Sequence, residues 1–352
     1  MNYDVVIVGA GPIGCRVGEL LGKNIRVLII DRKKEIGKPV QCTGFNSGRI
    51  FELSGVSRKL AINKVSSARF ISPGEADFEL KPKEPFYVLD REMFDKEIAN
   101  NAQKKGVEIL LETTFKGFRR REKIIIVETD NGEFKTKFLI GADGPNSTVA
   151  KSSSLFQPEK ILVGVQETVK GSYEKEVCEL WFGSKISPGF FAWVVPENEE
   201  WARIGLATTK KGMYYLERFI EKRVGDGIRK NKVAGLIRTG LIKRSVADNI
   251  LLVGDAACQM KPFSGGGLIY GLIGAKIAAE ACKVGLEKNR FDTKFLLENY
   301  EKKWKEKLSW PIKKGDWLSK IVYNSPDWLL DCGFWFADKF SGIIQKLDPD
   351  FL

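Results

Sequence analysis

Gly9-Ala10-Gly11-Pro12-Ile13-Gly14, with Asp31 placed 22 residues after Gly9, is a set of residues suited to holding a pyrophosphate and a ribose. Gly9 permits a tight turn, Gly11 lets the backbone approach phosphate, and Gly14 lets a helix pack closely on a strand. A helix starting at this turn offers unpaired N–H groups and the positive end of its dipole to the phosphates. Asp31 can accept hydrogen bonds from ribose hydroxyls, and Arg32 after it leaves FAD and NAD both open. Two later clusters narrow the choice. FLIGADGPNSTVAK (138–151) ends a strand at Asp143-Gly144, and NILLVGDAACQMKPFSGGGLIYGLIGA (249–275) carries Asp255, Pro262, Gly265-Gly266-Gly267 and Leu268. An acid at the carboxyl end of a strand can accept from ribitol hydroxyls, and a triple-glycine turn opening a helix presents bare N–H groups to a phosphate or to the electron-rich edge of a reduced flavin. In this order the clusters point to FAD.

The chain holds no histidine, which excludes His-based triads, imidazole metal ligands and imidazole proton shuttles. Acid–base work falls to carboxyls, Cys, Lys, Tyr, water or a cofactor. Six scattered cysteines without a CxxC pair read as free thiols of a cytoplasmic protein. Cys42, in the glycine-flanked stretch GKPVQCTG (37–44), is the thiol best placed for chemistry; Cys258 and Cys282 read as helix packing.

These groups need elements to position them. YDVVIVGAG runs straight into a strand, with no basic leader or small-residue cleavage site before it. A helix and the strand 26–30 follow, giving the opening of a Rossmann unit. The expected fold is α/β: a Rossmann-type FAD-binding domain in three pieces (1–58, 88–153 and 240–290), an antiparallel-sheet substrate domain (59–87 and 154–239) with a helix around 212–232, and a helical tail (291–352). No second GxGxxG follows a strand, so the reductant is expected to visit transiently rather than occupy a domain of its own. No stretch approaches the roughly 20 apolar residues of a spanning helix.

The segment SPGFFAWVVP (187–196) sets aromatic and aliphatic side chains between two prolines. Strand alternation puts Phe191, Trp193 and Val195 on one face and Phe190, Ala192 and Val194 on the other. The first face suits either a core or a cavity for a long apolar chain. Among the last sixty residues, Trp304, Trp310, Trp317, Trp328 and Trp335 alternate with lysines, a pairing that suits a membrane interface or a helical cap on the substrate domain. The net charge of +12 favours an anionic partner, but the lysines are spread rather than grooved, which argues against nucleic acid.

The order GAGPIG…D, then DREMFD (90–95), ADG and GDAA…P…GGG resembles the FAD-binding fold of p-hydroxybenzoate hydroxylase and its relatives. The resemblance implies that Gly9, Gly11, Ile13, Gly14, Asp31, Arg32, Arg91, Phe115, Asp143, Gly144, Asp255, Pro262, Gly265, Gly266, Gly267 and Leu268 bind FAD. Lys151 departs from it, standing where that group has an arginine.

Within the group, GKPVQCTG, VLDREMFDKEIANNAQKKGVEI (88–109) and SPGFFAWVVPENEEWARIGLA (187–207) resemble the geranylgeranyl reductase family over roughly residues 1–285. Phe191 and Val195 differ from that family's usual tyrosine and phenylalanine. This second resemblance implies that Cys42, Thr43 and Gly44 lie at the flavin with Cys42 as candidate proton donor, and that Phe191, Trp193 and Val195 line a prenyl-chain cavity. The implied activity is reduction of C=C bonds in a geranylgeranylated lipid or prenyl diphosphate. The implied partners are a transient donor (NAD(P)H, ferredoxin or reduced deazaflavin) and a peripheral contact with the inner face of the cell membrane. An aromatic-ring monooxygenase on the same fold is the alternative; a flavoprotein directed to RNA would need steep salt-dependent RNA binding.

Overall fold

The computed structural model describes residues 2–339. Its first sheet runs in the order Val246–Ala247, Ile250–Leu252, Gly132–Gly141, Asn2–Val8, Val27–Ile30, Glu108–Leu110, with Ile124–Thr129 and Phe115–Arg121 added antiparallel beyond Gly132–Gly141. The central pairings are parallel. Val5 to Ile7 and all of Val27–Ile30 are buried, because a parallel sheet covered on both faces needs continuous apolar runs rather than alternation. Helix Pro12–Leu21 starts with proline at its first turn, where the missing N–H leaves nothing unsatisfied. A β-carbon at Gly14 would stand 2.0 Å from the Gly9 carbonyl oxygen, so glycine is what permits that helix to lie against the strand.

The second sheet has the order Arg229–Arg238, Ile161–Lys170, Trp201–Thr208, Ala192–Pro196, Val177–Trp181, Ser67–Ile71, Asp77–Leu80. It is antiparallel except where Val177–Trp181 meets Ser67–Ile71 in parallel. Ala192 and Val194 face helix Gly212–Arg223 and its Leu216, Phe219 and Ile220, so this side of the strand is core. A small third sheet, Phe45–Ser47, Phe86–Leu89 and Ala61–Val65, lies at the start of the helix Arg91–Lys104.

Three expectations need correction. The helix expected around 212–232 stops at Arg223, and Arg229–Arg238 is instead the edge strand. Gly225, at φ +79°, and Gly227 interrupt the helix, and the residues beyond pair along Ile161–Lys170. Phe190 does not share the face of Ala192: it precedes the strand and stacks on Phe191 at 4.5 Å between ring centroids. Trp304 is not an interface residue. It is fully buried in the core of the first sheet together with Phe295, Tyr300, Leu308 and Ile312, and its indole N–H donates to Ser245 Oγ at 3.0 Å. Trp310, Trp317, Trp328 and Trp335 are exposed. The last part of the expected tail, 340–352, lies outside the described residues. Among the described residues no helix is long and apolar enough to cross a membrane.

Candidate active site

A single cavity of about 1590 Å³ runs from the glycine turns of the first sheet to the aromatic side chains of the second. Ligand sites of drug-sized molecules occupy about 300–1,000 Å³, so this space exceeds what one such ligand fills. Its first end is lined by Gly9, Gly11, Asp31, Arg32, Asp143 and Gly144. A β-carbon at Gly11 or Gly144 would meet no protein atom within 4 Å, which leaves the backbone of both turns open to a ligand. The turn itself is rigid. Asp31 accepts from the Ala10 N–H at 2.8 Å and the Lys33 N–H at 2.9 Å, and Gly9, at φ +112°, lies so close to Ala142 that any side chain there would strike its carbonyl.

Asp143 has a different role from Asp255. Its carboxylate accepts from Ser147 Oγ (2.6 Å), Thr148 N–H (2.6 Å) and Val149 N–H (3.1 Å), so it holds its own loop, and burial still pushes its pKa up. Asp255 makes no such bonds; it is exposed, and its exposure is to the cavity. The protein around it raises its pKa above the ordinary 3.8, with Arg91 opposing that shift. Gly267 makes this approach possible, since a β-carbon there would stand 2.7 Å from Asp255 Oδ1. An acid whose folded-state pKa is raised loses stability as pH climbs from 3.8 through the raised value, because the unfolded chain releases that proton more readily. Asp255→Asn is therefore expected to raise the thermal midpoint of the ligand-free protein at neutral pH. It is also expected to weaken FAD binding by roughly 10- to 100-fold, the usual worth of a hydrogen bond to a charged group. Thermal melts and flavin titration of the same variant check both signs.

Arg91 is the first residue of helix Arg91–Lys104, whose N-cap Asp90 accepts from the Met93 N–H at 3.0 Å. Asp95, one turn on, holds the guanidinium with contacts of 2.9, 3.1 and 3.2 Å. Burial pulls the Arg91 pKa down, but the Asp95 carboxylate outweighs it, and the net shift is upward. Arg91 thus stays charged beside the cavity. Cys42 lines the cavity next to it and accepts from the Gly44 N–H at 3.3 Å. The loop is tied down from several sides. Arg203 donates to the Thr43 carbonyl and to the Leu89 carbonyl, with its own Nε on Glu197 at 2.8 Å. Thr43 Oγ1 donates to Gln166 Oε1 at 2.7 Å, and the same oxygen accepts from the Trp193 indole N–H at 3.0 Å.

Gln166 therefore joins the Cys42 loop to the aromatic wall. Trp193 lies across the neighbouring strand over Gly205, where a β-carbon would be 2.5 Å from its ring. Phe191, Val195, Phe190, Phe182, Phe70 and Leu180 line the same end, with helices Lys302–Asn324 and Asp327–Lys339 above them. The cavity brings together the expected FAD-binding set apart from Gly14 and Pro262, which do not line it. Gly14 acts by letting the helix pack. Sequence reading missed Gln166 and Arg203: no motif marks either, since each works by joining segments distant in sequence. Asp95 sits inside DREMFD, and its i,i+4 spacing from Arg91 on a helix is the signal that could have found it. Gln166→Leu would leave Thr43 and Trp193 without their shared acceptor, at about 1–3 kcal/mol. A fall in thermal midpoint, with kcat/KM reduced about tenfold, is expected, and Gln166→Glu should restore part of both.

A family profile described as FAD binding domain matches residues 2–275. An uncharacterised protein of Methanocaldococcus jannaschii is 35% identical over 94% of this chain and 87% of its own length. Digeranylgeranylglycerophospholipid reductase 1 of Methanococcoides burtonii is 31% identical over 94% of this chain and 86% of its own. Among solved structures, a geranylgeranyl bacteriochlorophyll reductase-like protein of Thermoplasma acidophilum superposes with a TM-score of 0.88 at 25% identity, covering 98% of this chain and 92% of that one.

Proposed function

This chain belongs to the FAD-dependent digeranylgeranylglycerophospholipid reductase family, and from that premise we propose that it saturates C=C bonds of geranylgeranyl chains on a membrane-lipid precursor. The observation that carries the reading is the continuity of the cavity: one space is lined by the open glycine cradle, by Cys42 and by an extended set of aromatic and aliphatic side chains. The residues fit FAD. Gly11 and Gly144 leave backbone approachable, the Gly265–Gly267 turn lines the same cavity, Asp31 and Asp255 offer carboxylates, and Arg91 keeps its charge beside Cys42. When bound and reduced, FAD supplies the hydride equivalent.

The chain's own residues do the rest. Phe191, Trp193 and Val195 orient the alkene and keep water from it, and Trp193 is held in one pose by Gln166 and Gly205. Cys42 holds the proton at Sγ for the second alkene carbon, since an isolated alkene accepts hydride poorly without a positioned acid. The enzyme works in the cytoplasm at the inner face of the membrane, and its reductant (a nicotinamide, a ferredoxin or a reduced deazaflavin) visits transiently.

A single-turnover experiment tests the reading. The protein is reduced with dithionite under anaerobic conditions and mixed with a detergent-dispersed geranylgeranylated glycerophospholipid. Flavin reoxidation with a two-hydrogen mass gain in the chain is expected. Flavin that stays reduced with lipid, but is reoxidised by oxygen through a hydroperoxide-like species when an aromatic acid is present, would instead establish the monooxygenase.

A further inference from the structure

We infer that the outer face of helix Asp327–Lys339, with the end of helix Lys302–Asn324, is the surface by which the protein rests on an anionic lipid bilayer, with the cavity opening directly into the acyl layer. The inference rests on the lipid-substrate reading above and adds the place and orientation of the contact. Its starting point is that three residues belong to two surfaces at once. Ile321, Leu329 and Phe336 line the cavity and are 45%, 45% and 55% exposed, so large apolar side chains stand where the cavity wall meets solvent.

Trp328 (66% exposed) and Trp335 (56% exposed) flank that mouth without lining it. The positions 328, 329, 332, 335 and 336 recur at helical spacing and are all exposed, whereas Leu330 and Phe334 on the other side pack inward, Phe334 against Phe78 and Phe182. The acids at the start and middle of this helix are spent internally: Asp327 accepts from the Ser184 N–H and hydroxyl, each at 2.9 Å, and Asp331 from the Gly74 N–H at 2.7 Å. They clamp the helix to the body and place no free carboxylate at the mouth.

The charge nearby is positive. Lys339 lies over the Trp335 ring at 3.6 Å, and the second half of helix Lys302–Asn324 carries Lys313, Lys314 and Lys320 against Asp316, which is paired with Lys320. Amphipathic indoles with lysines beside them are the side chains that settle at headgroup depth on anionic lipid. A protein partner seated here would close the cavity mouth. A bilayer covers the same apolar face while delivering chains of the kind the cavity accepts.

The test uses the full chain with FAD and separates binding from chemistry. Sedimentation with vesicles of phosphatidylglycerol and phosphatidylcholine (about 3:7) is compared with pure phosphatidylcholine, at low and high salt, with no substrate present. Expected are binding to the anionic vesicles that weakens with salt, and roughly tenfold weaker binding for the double variant Trp328→Ala/Trp335→Ala. The same variant should reduce detergent-dispersed lipid at the unaltered rate and keep its far-ultraviolet dichroism. Trp328→Phe/Trp335→Phe should retain most of the vesicle binding.

Absence of sedimentation, or sedimentation that the double alanine variant leaves unchanged, overturns the inference. So does a concentration-dependent dimer in analytical ultracentrifugation that the variant abolishes while vesicle binding persists, since the face would then be covered by a second copy. Vesicle binding without any reduction of dispersed lipid leaves the surface standing and removes the substrate reading instead.

Discussion

Replacing Cys42 by alanine is expected to slow single-turnover reduction of a prenyl chain by about 10²- to 10⁴-fold while FAD binds as before, the range typical of losing a positioned general acid. The thiol meets the geometric demand: it lines the cavity that the glycine cradle and the aromatic wall share, on a loop fixed by Gly44, Arg203, Thr43 and Gln166. The chain has no imidazole to take over. Alanine removes the proton while Arg203, Thr43 and Gln166 still hold the loop, since none of these three uses the sulfur, whose partners are the Gly44 N–H and Arg91. Cys42→Ser keeps a hydroxyl of similar size but a far weaker acid and should recover less than about tenfold of the loss. Stopped-flow flavin reoxidation in H₂O and D₂O reads the effect: the wild-type solvent isotope effect should change in the serine variant. An alanine variant that reduces lipid at the wild-type rate would transfer the proton-donor role to water or another cavity group.

The second large effect is expected at Gly11. Its backbone sits at φ −73° and ψ 173°, an extended conformation any residue adopts, and a side chain there meets no protein atom. Gly11→Leu should therefore fold, melt within a few degrees of the wild-type apoprotein, and come off the column colourless. A leucine fills the space where a phosphate must approach the helix N-terminus. Losing two charge-assisted N–H bonds, at about 1.5–3 kcal/mol each, weakens FAD binding by roughly 100-fold or more. Gly14→Leu is the contrast. Its β-carbon would collide with the Gly9 carbonyl at 2.0 Å, so that variant should lose fold and cofactor together. Apoprotein melts and fluorescence titration with FAD tell the two kinds of glycine apart. A Gly11→Leu protein that purified yellow would show that phosphate does not approach this turn.

The two glycines also show what could be read before any coordinates. GAGPIG is legible because each position answers to a local demand, a tight turn, an approach or a packing contact, and local demands leave a pattern in the chain. The buried strands, Asp31 and the Asp255–Gly267 turn are legible for the same reason. Gln166 and Arg203 are not, because their partners Thr43, Trp193 and Leu89 lie far away in sequence and only the sheet pairing brings them together. The strand Arg229–Arg238 was hidden by its own composition. Four charged or amide residues at its start read as the continuation of a surface helix, and only pairing along Ile161–Lys170 makes it an edge strand. Trp304 misled for a related reason: a tryptophan among lysines looks interfacial until Ser245, a residue from another segment, is found accepting its N–H.

That buried tryptophan belongs to a set of contacts with a dynamic consequence. Gln259, just past the Asp255 turn, accepts from the Gly254 N–H at 2.8 Å and donates to the Tyr300 hydroxyl at 3.1 Å, and Tyr300 donates to the Leu252 carbonyl at 2.5 Å. Glu301 accepts from the Ser245 N–H and hydroxyl, and the same hydroxyl receives Trp304. Residues 245–259 and 300–304 are thus pinned to each other by buried bonds rather than by sequence proximity. They should open as one cooperative unit in native-state hydrogen exchange, with amides of 250–254 and of 300–312 sharing a single opening free energy. FAD held against Asp255 would then slow exchange in helix Lys302–Asn324, although the cofactor need not touch its first turns.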